Sequence, residues 1–181
     1  MRFTIYFFLL FFSISTYACP PDIFCPNDRV LYTQHTNDGS VNYTLATVVQ
    51  FYDNGVVGVL FPGKPFAITV STADLSKVVA SGQNQRVLFD DGEVATLIEI
   101  YSNDVAYVRA DHQGYMFVPT NSYYTSGCLN GICRGRVVTD VPHHQVGMAL
   151  EVFMNGKVLF RNQFYPVPYL IPIEDVSARL Y

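Results

Sequence analysis

The chain has 181 residues, half of them apolar, and carries 11 basic against 15 acidic side chains for a net charge of −4. That much apolar material excludes a disordered composition and is enough for a real core. The basic residues are scattered, with only Arg134 and Arg136 close together, which argues against a nucleic-acid or anionic-membrane surface.

Residues 1–18 have the layout of a signal peptide. Arg2 gives a positive start, residues 3–12 are almost wholly apolar, and the segment turns small and polar before Ala18. The apolar run is too short to span a bilayer comfortably, and no other stretch approaches membrane length. A retained N-terminal anchor is the rival reading. Losing Arg2 with the leader takes the net charge from −4 to −5. The mature chain is thus expected to be exported, to the periplasm, the cell surface or the exterior, with no transmembrane segment.

Four cysteines, Cys19, Cys25, Cys128 and Cys133, suit an oxidising compartment. Cys19–Cys25 and Cys128–Cys133 are the preferred pairs, because each immediately precedes a repeat. Residues 25–30, Cys-Pro-Asn-Asp-Arg-Val, parallel residues 133–137, Cys-Arg-Gly-Arg-Val. A zinc site is the alternative, but neither pair has Cys-x-x-Cys spacing. A lipid anchor at Cys19 would compete with its disulfide. Thr16 and Tyr17 match a lipobox poorly.

The first repeat runs over residues 29–77. Arg29-Val30-Leu31-Tyr32 opens it as a strand, and residues 33–42 form a polar loop around Asn37-Asp38-Gly39. Residues 46–59 read as two strands joined at Asp53-Asn54-Gly55, residues that tolerate positive φ. Phe61-Pro62-Gly63-Lys64-Pro65 breaks the chain. A strand over residues 66–70 follows, and Ala73-Asp74-Leu75 closes the unit with a short helical turn. The second repeat starts at Arg86-Val87-Leu88-Phe89, with a shorter loop at Asp90-Asp91-Gly92 and the hairpin over residues 95–108. A turn at His112-Gln113-Gly114 leads to a strand over residues 115–118. The third starts at Arg136-Val137-Val138, with the hairpin over residues 148–160, a strand over residues 169–173 and a closing turn at Glu174-Asp175-Val176. A fixed period of this kind is the signature of a repeat architecture.

Alternation assigns Thr47, Val49 and Phe51, with Thr96, Ile98 and Ile100, and Met148, Leu150 and Val152, to the packed face. Gln50, Glu99 and Glu151 share the opposite face and should be partly wet. That face is apolar earlier, at Ala46, Val48, Ala95 and Leu97, which fits a strongly bent strand shared between two sheets.

Ala46, Val48, Tyr52, Asn54, Gly55, Val57, Val59, Asp74 and Leu75, with their later counterparts, resemble SH3-like small barrels of the Tudor type. The resemblance implies an all-β chain of three tandem barrels over residues 19–80, 81–127 and 128–181. Barrels of this kind bind peptides, glycans or nucleic acids, and Tudor modules read methylated side chains with an aromatic cage.

Tyr52, Tyr101 and Phe153 occupy one repeat position before the hairpin turn. They are the candidate ligand-binding residues, weighed against packing between modules. Tyr32, Phe89, Tyr107 and Tyr115 are weaker candidates. His35, His112, His143 and His144 read as solvated loop residues. No nucleophile elbow occurs, and Asp90, Asp91 and Glu93 lack calcium-loop spacing. Asn42-Tyr43-Thr44 is a glycosylation acceptor in a eukaryotic host. The expectation is therefore a non-enzymatic, exported binding or scaffold protein, with no catalytic residues, metal or cofactor. Its partner would be a protein or glycan of the cell envelope. The alternatives are a cell-wall-acting enzyme or enzyme accessory, and a purely structural envelope component.

Overall fold

The computed structural model describes residues 24–52 and 54–178. The leader, Cys19 and Asp53 lie outside the described residues, and with them the Cys19–Cys25 pairing and the lipid anchor.

The chain is all-β, in two antiparallel sheets of ten and five strands. The first five strands are β1 (Arg29–His35), β2 (Val41–Tyr52), β3 (Val56–Leu60), β4 (Ile68–Ser71) and β5 (Leu75–Ser81). The next five are β6 (Arg86–Phe89), β7 (Val94–Tyr101), β8 (Val105–Ala110), β9 (Gly114–Pro119) and β10 (Tyr123–Thr125). The last five are β11 (Val137–Asp140), β12 (Gln145–Val152), β13 (Lys157–Asn162), β14 (Tyr169–Pro172) and β15 (Val176–Ala178). Pairing runs β5-β1-β2-β3-β4, then β10-β6-β7-β8-β9, then β15-β11-β12-β13-β14. One strand order is thus used three times, and β5 joins the first two units by pairing with β7.

The repeated local chemistry explains the repeated geometry. The long second strand of each unit carries a bulge against its hairpin partner, between Val48 and Gln50, Leu97 and Glu99, and Ala149 and Glu151. A bulge bends a strand and strengthens its twist, so one strand can line both walls of a small core. At the hairpin tips, Gly55, Asp104 and Gly156 sit at φ 71°, 58° and 80°. In three-residue hairpin loops this left-handed position closes the turn. Each of these residues then accepts a hydrogen bond from the residue that opens a 3-10 turn, Thr72, Thr120 or Ile173, at 2.9, 2.9 and 2.8 Å. That bond pins the closing turn to the hairpin tip.

Three expectations need correction. The packed face is the expected one only in part: Thr96 and Val152 are buried and Ile100 packs against the second core. Ala46, Val48, Ala95, Leu97 and Ala149 are buried, whereas Val49 and Phe51 are exposed. The bulge reverses the alternation partway along each strand, so the inward residues are Ala46 and Val48, Ala95 and Leu97, and Ala149 before it, and the position of Ile100 and Val152 beyond it. The loop over residues 33–42 is shorter than expected. Gln34 pairs with Asn42 and His35 with Val41, leaving only residues 36–40 between the strands. The third repeat begins at Val137, since Val137, Arg29 and Arg86 share one register position, opposite Met148, Thr47 and Thr96.

Each unit has its own apolar core, centred on Val48 and Val59, on Leu97 and Val108, and on Ala149 and Phe160. The third core is sealed by a miniature hairpin. Leu129 and Ile132 exchange both backbone hydrogen bonds around Asn130 and Gly131, at φ 52° and 74°. Asn-Gly is favoured where two successive residues need positive φ. The Cys128–Cys133 disulfide, with sulfurs 2.09 Å apart, closes this loop.

Candidate functional site

The three candidate aromatics are in different surroundings. Tyr52 is 47% exposed, while Tyr101 and Phe153 are each 0% exposed. They do not form a common binding surface. Tyr101 and Phe153 are buried because the preceding unit is docked over each of them, a packing that the strand pattern does not contain.

Tyr101 is the centre of the first joint. It packs with Val105, Tyr107 and Phe117 of its own unit against Leu31, Tyr43, Leu45 and Val78 of the first. Tyr107 and Phe117 stack at 4.9 Å between ring centroids, and Tyr43 meets Phe117 at 5.8 Å. The Tyr101 hydroxyl donates to Glu99 Oε2 at 2.5 Å, and Arg29 reaches Glu99 Oε1 at 3.1 Å. Burial, reinforced by that carboxylate, pushes the Tyr101 phenol far above the usual tyrosine range. Gln50, Glu99 and Glu151 become progressively drier. Gln50 is exposed, Glu99 is half-buried and Glu151 is 6% exposed.

The second joint uses the same positions with smaller side chains. Phe153, Leu159 and Leu170 of the third unit pack on Leu88 and Val94 of the second. Register makes Leu159 the equivalent of Tyr107, since they oppose Glu151 and Glu99. Leu170 opposes Leu159 as Phe117 opposes Tyr107. Gly92 lies two residues before Val94, as Tyr43 lies two before Leu45, and Val94 and Leu45 oppose Leu88 and Leu31. Three aromatic positions are thus occupied by Gly92, Leu159 and Leu170.

The missing volume is a cleft of about 390 Å³ between the units. It is lined by Gly92, Val94, Leu159, Leu170, Tyr169, Val167 and Pro168, with Asp111 and His112 at its polar side. A second hollow of about 490 Å³ shares Asp111, Leu159 and Pro168 with it and reaches Arg86, Arg134, Met148 and Glu151. Aliphatic hollows at an interface, with a few convergent polar groups, are where ligands are usually taken.

Ion pairs fix the polar wall. Arg86 holds both oxygens of Asp111, the first at 2.9 Å, and donates to Thr96 Oγ1 at 2.8 Å. Glu93 accepts from the His112 backbone at 2.8 Å and sits 2.9 Å from its ring Nδ1. Arg134, directly after the disulfide loop, reaches Glu151 Oε1 at 3.3 Å. Burial raises the Glu151 carboxyl above the ordinary glutamate range, against the opposing pull of Arg134, Arg86 and the Ser126 hydroxyl.

Part of the apolar wall, Val167 and Pro168, comes from the loop over residues 163–168. Asn162 Oδ1 accepts the backbone N–H groups of Phe164 and Tyr165 at 2.8 and 2.6 Å. Asn162 in turn donates to Gln145, and the Tyr169 hydroxyl bridges Gln145 and the buried Asp140 at 3.2 and 3.0 Å. His143 Nδ1 lies 3.0 Å from the same Asp140 carboxylate. Asp140 stands where the other units have Tyr32 and Phe89, residues that close their cores edge-on against Phe61 and Tyr123.

The remaining sequence candidates fall away from the cleft or serve it structurally. His35 and His144 are exposed, and Tyr115 stacks on Tyr107 at 5.5 Å. Asp91 accepts the Glu93 N–H at 2.9 Å, as a turn aspartate does. Among the described residues no cluster of three or more His, Cys, Asp or Glu is placed to hold a metal. None of their helices is long and apolar enough to cross a membrane. Sequence reasoning missed the cleft. Its only signal was the change from aromatic to small or aliphatic residues at equivalent positions, which needs the register to be known.

Fold and site together define a class: an all-β protein of repeated five-strand units with a hollow at the second of its two joints. No protein-family profile matches the chain, and no curated protein matches it.

Proposed function

We propose that the chain is an exported, non-enzymatic binding protein of the cell envelope or exterior, and that the cleft between its second and third units takes apolar side chains from an extended segment of a protein partner. The strand order, the bulged second strand and the 3-10 turn before the last strand support reading each unit as a small SH3-like barrel. The disulfide supports an oxidising destination.

One observation carries the reading. The first joint is filled by Tyr43, Tyr107 and Phe117, and the second leaves the same positions to Gly92, Leu159 and Leu170. A joint that only had to hold two units together would gain from the aromatic filling, because unfilled apolar volume costs stability. The aliphatic lining favours peptide side chains over a glycan, since a sugar would call for broad stacking faces and Tyr169 is the one Tyr, Phe or Trp in the lining.

The test is a selection from a random peptide display library on residues 19–181. The counter-target is the doubly filled variant Leu159→Tyr with Leu170→Phe. Enriched apolar peptides should bind the unmodified chain and lose at least about tenfold on the filled one, the order expected for a displaced side chain or two. Peptides that bind both equally, or no enrichment, would remove the cleft as the site.

A further inference from the structure

Each joint is built from the donor face of one unit and the acceptor face of the next, and both faces can be compared at the ends of the array. On the donor side, the register position of Arg29 and Arg86 is Val137 in the third unit, and that of Leu31 and Leu88 is Thr139. On the acceptor side, the position of Glu99 and Glu151 is Gln50 in the first unit. There Tyr107 and Leu159 are matched by Gly58, and Phe117 and Leu170 by Thr69.

We infer that these five exchanges terminate the array: the two outermost faces are shaped to refuse a further unit of the same kind, a second copy of this chain included. The losses are complementary. The acceptor glutamate that Arg29 meets in the first joint, and whose counterpart meets Arg134 in the second, is neutral in the first unit. The donor arginine is absent from the third. The apolar knob of the donor face becomes a hydroxyl, and two large acceptor side chains become Gly58 and an exposed Thr69. The Tyr52 ring lies over Gly58, 3.5 Å from where its Cβ would be, and takes up the space that Tyr107 or Leu159 fills elsewhere. Repeat arrays need outer faces that do not match a further joint, because a matching surface would add copies head to tail without limit. The inference is independent of what the cleft binds.

The test restores each face on a separate chain. One variant carries Gln50→Glu and Thr69→Phe, the other Val137→Arg and Thr139→Leu. By light scattering, the unmodified chain and each variant alone should stay at monomer mass across concentration. An equimolar mixture should double in mass, with an association at least tenfold tighter than either variant alone. A mass of the unmodified chain that climbs with concentration would overturn the inference. So would a mixture that stays monomeric while both variants keep the unmodified circular dichroism and denaturation midpoint. Should the fuller set unfold, the pair Gln50→Glu and Val137→Arg must still give salt-sensitive association in the mixture, and its failure to do so overturns the inference equally.

Discussion

The two joints use one architecture and differ in how they are filled. In the first, Tyr101 is sealed by Tyr43, Tyr107 and Phe117 and tied through Glu99 to Arg29. In the second, Phe153 occupies the same position, but Gly92, Leu159 and Leu170 leave hollows on either side of Leu159 and Pro168. The charged groups of the second joint are also divided. Arg86, the counterpart of Arg29, is engaged by Asp111, and Glu151 is met by Arg134 from beside the disulfide loop. The difference separates what a joint needs from what a site needs. Burying an aromatic at the end of the long strand is common to both. The cleft comes from what the second joint gives up.

Truncating the shared aromatic gives the largest contrast. Tyr101→Ala and Phe153→Ala should each cost about 3–5 kcal/mol in denaturant unfolding, the usual range for a fully buried ring. Tyr52→Ala should cost about 1 kcal/mol or less, because its ring is half exposed. Equal losses at all three would break the claim that unit docking, rather than the repeat position itself, buries the ring.

A smaller effect lies in pH. Glu151 is raised by burial, so the folded chain holds that proton at higher pH than the unfolded chain does. Its contribution to stability is therefore fully present below the unfolded glutamate value and is lost as pH rises through the raised folded value. Glu151→Gln should flatten the fall in stability across that window when unfolding midpoints are followed against pH. A slope unchanged by the substitution would show that the carboxyl is as well solvated as a surface glutamate.

Much of the fold was legible in the sequence. Alternating apolar residues around Asn54-Gly55 and Asn155-Gly156 announced the hairpins. The packed face was legible only in part, at Thr96, Ile100 and Val152. The extra residue at Val49, Ile98 and Leu150 shifts the alternation without any residue type that marks a bulge. The burial of Tyr101 and Phe153 was hidden for a different reason. It depends on Leu31 and Leu88, from the preceding units, and periodicity within one strand carries no information about them. The cleft was hidden furthest, because it consists of substitutions at Tyr43, Tyr107 and Phe117 that matter only once the strands are in register.

The most direct test of the central claim is methyl NMR of the intact chain under xenon, which enters apolar hollows and leaves filled ones alone. Saturable shifts at the methyl groups of Val94, Leu159 and Leu170, with none at Leu31 and Val105, are the predicted result. Shifts of equal size at both joints, or none at the second, would contradict the account.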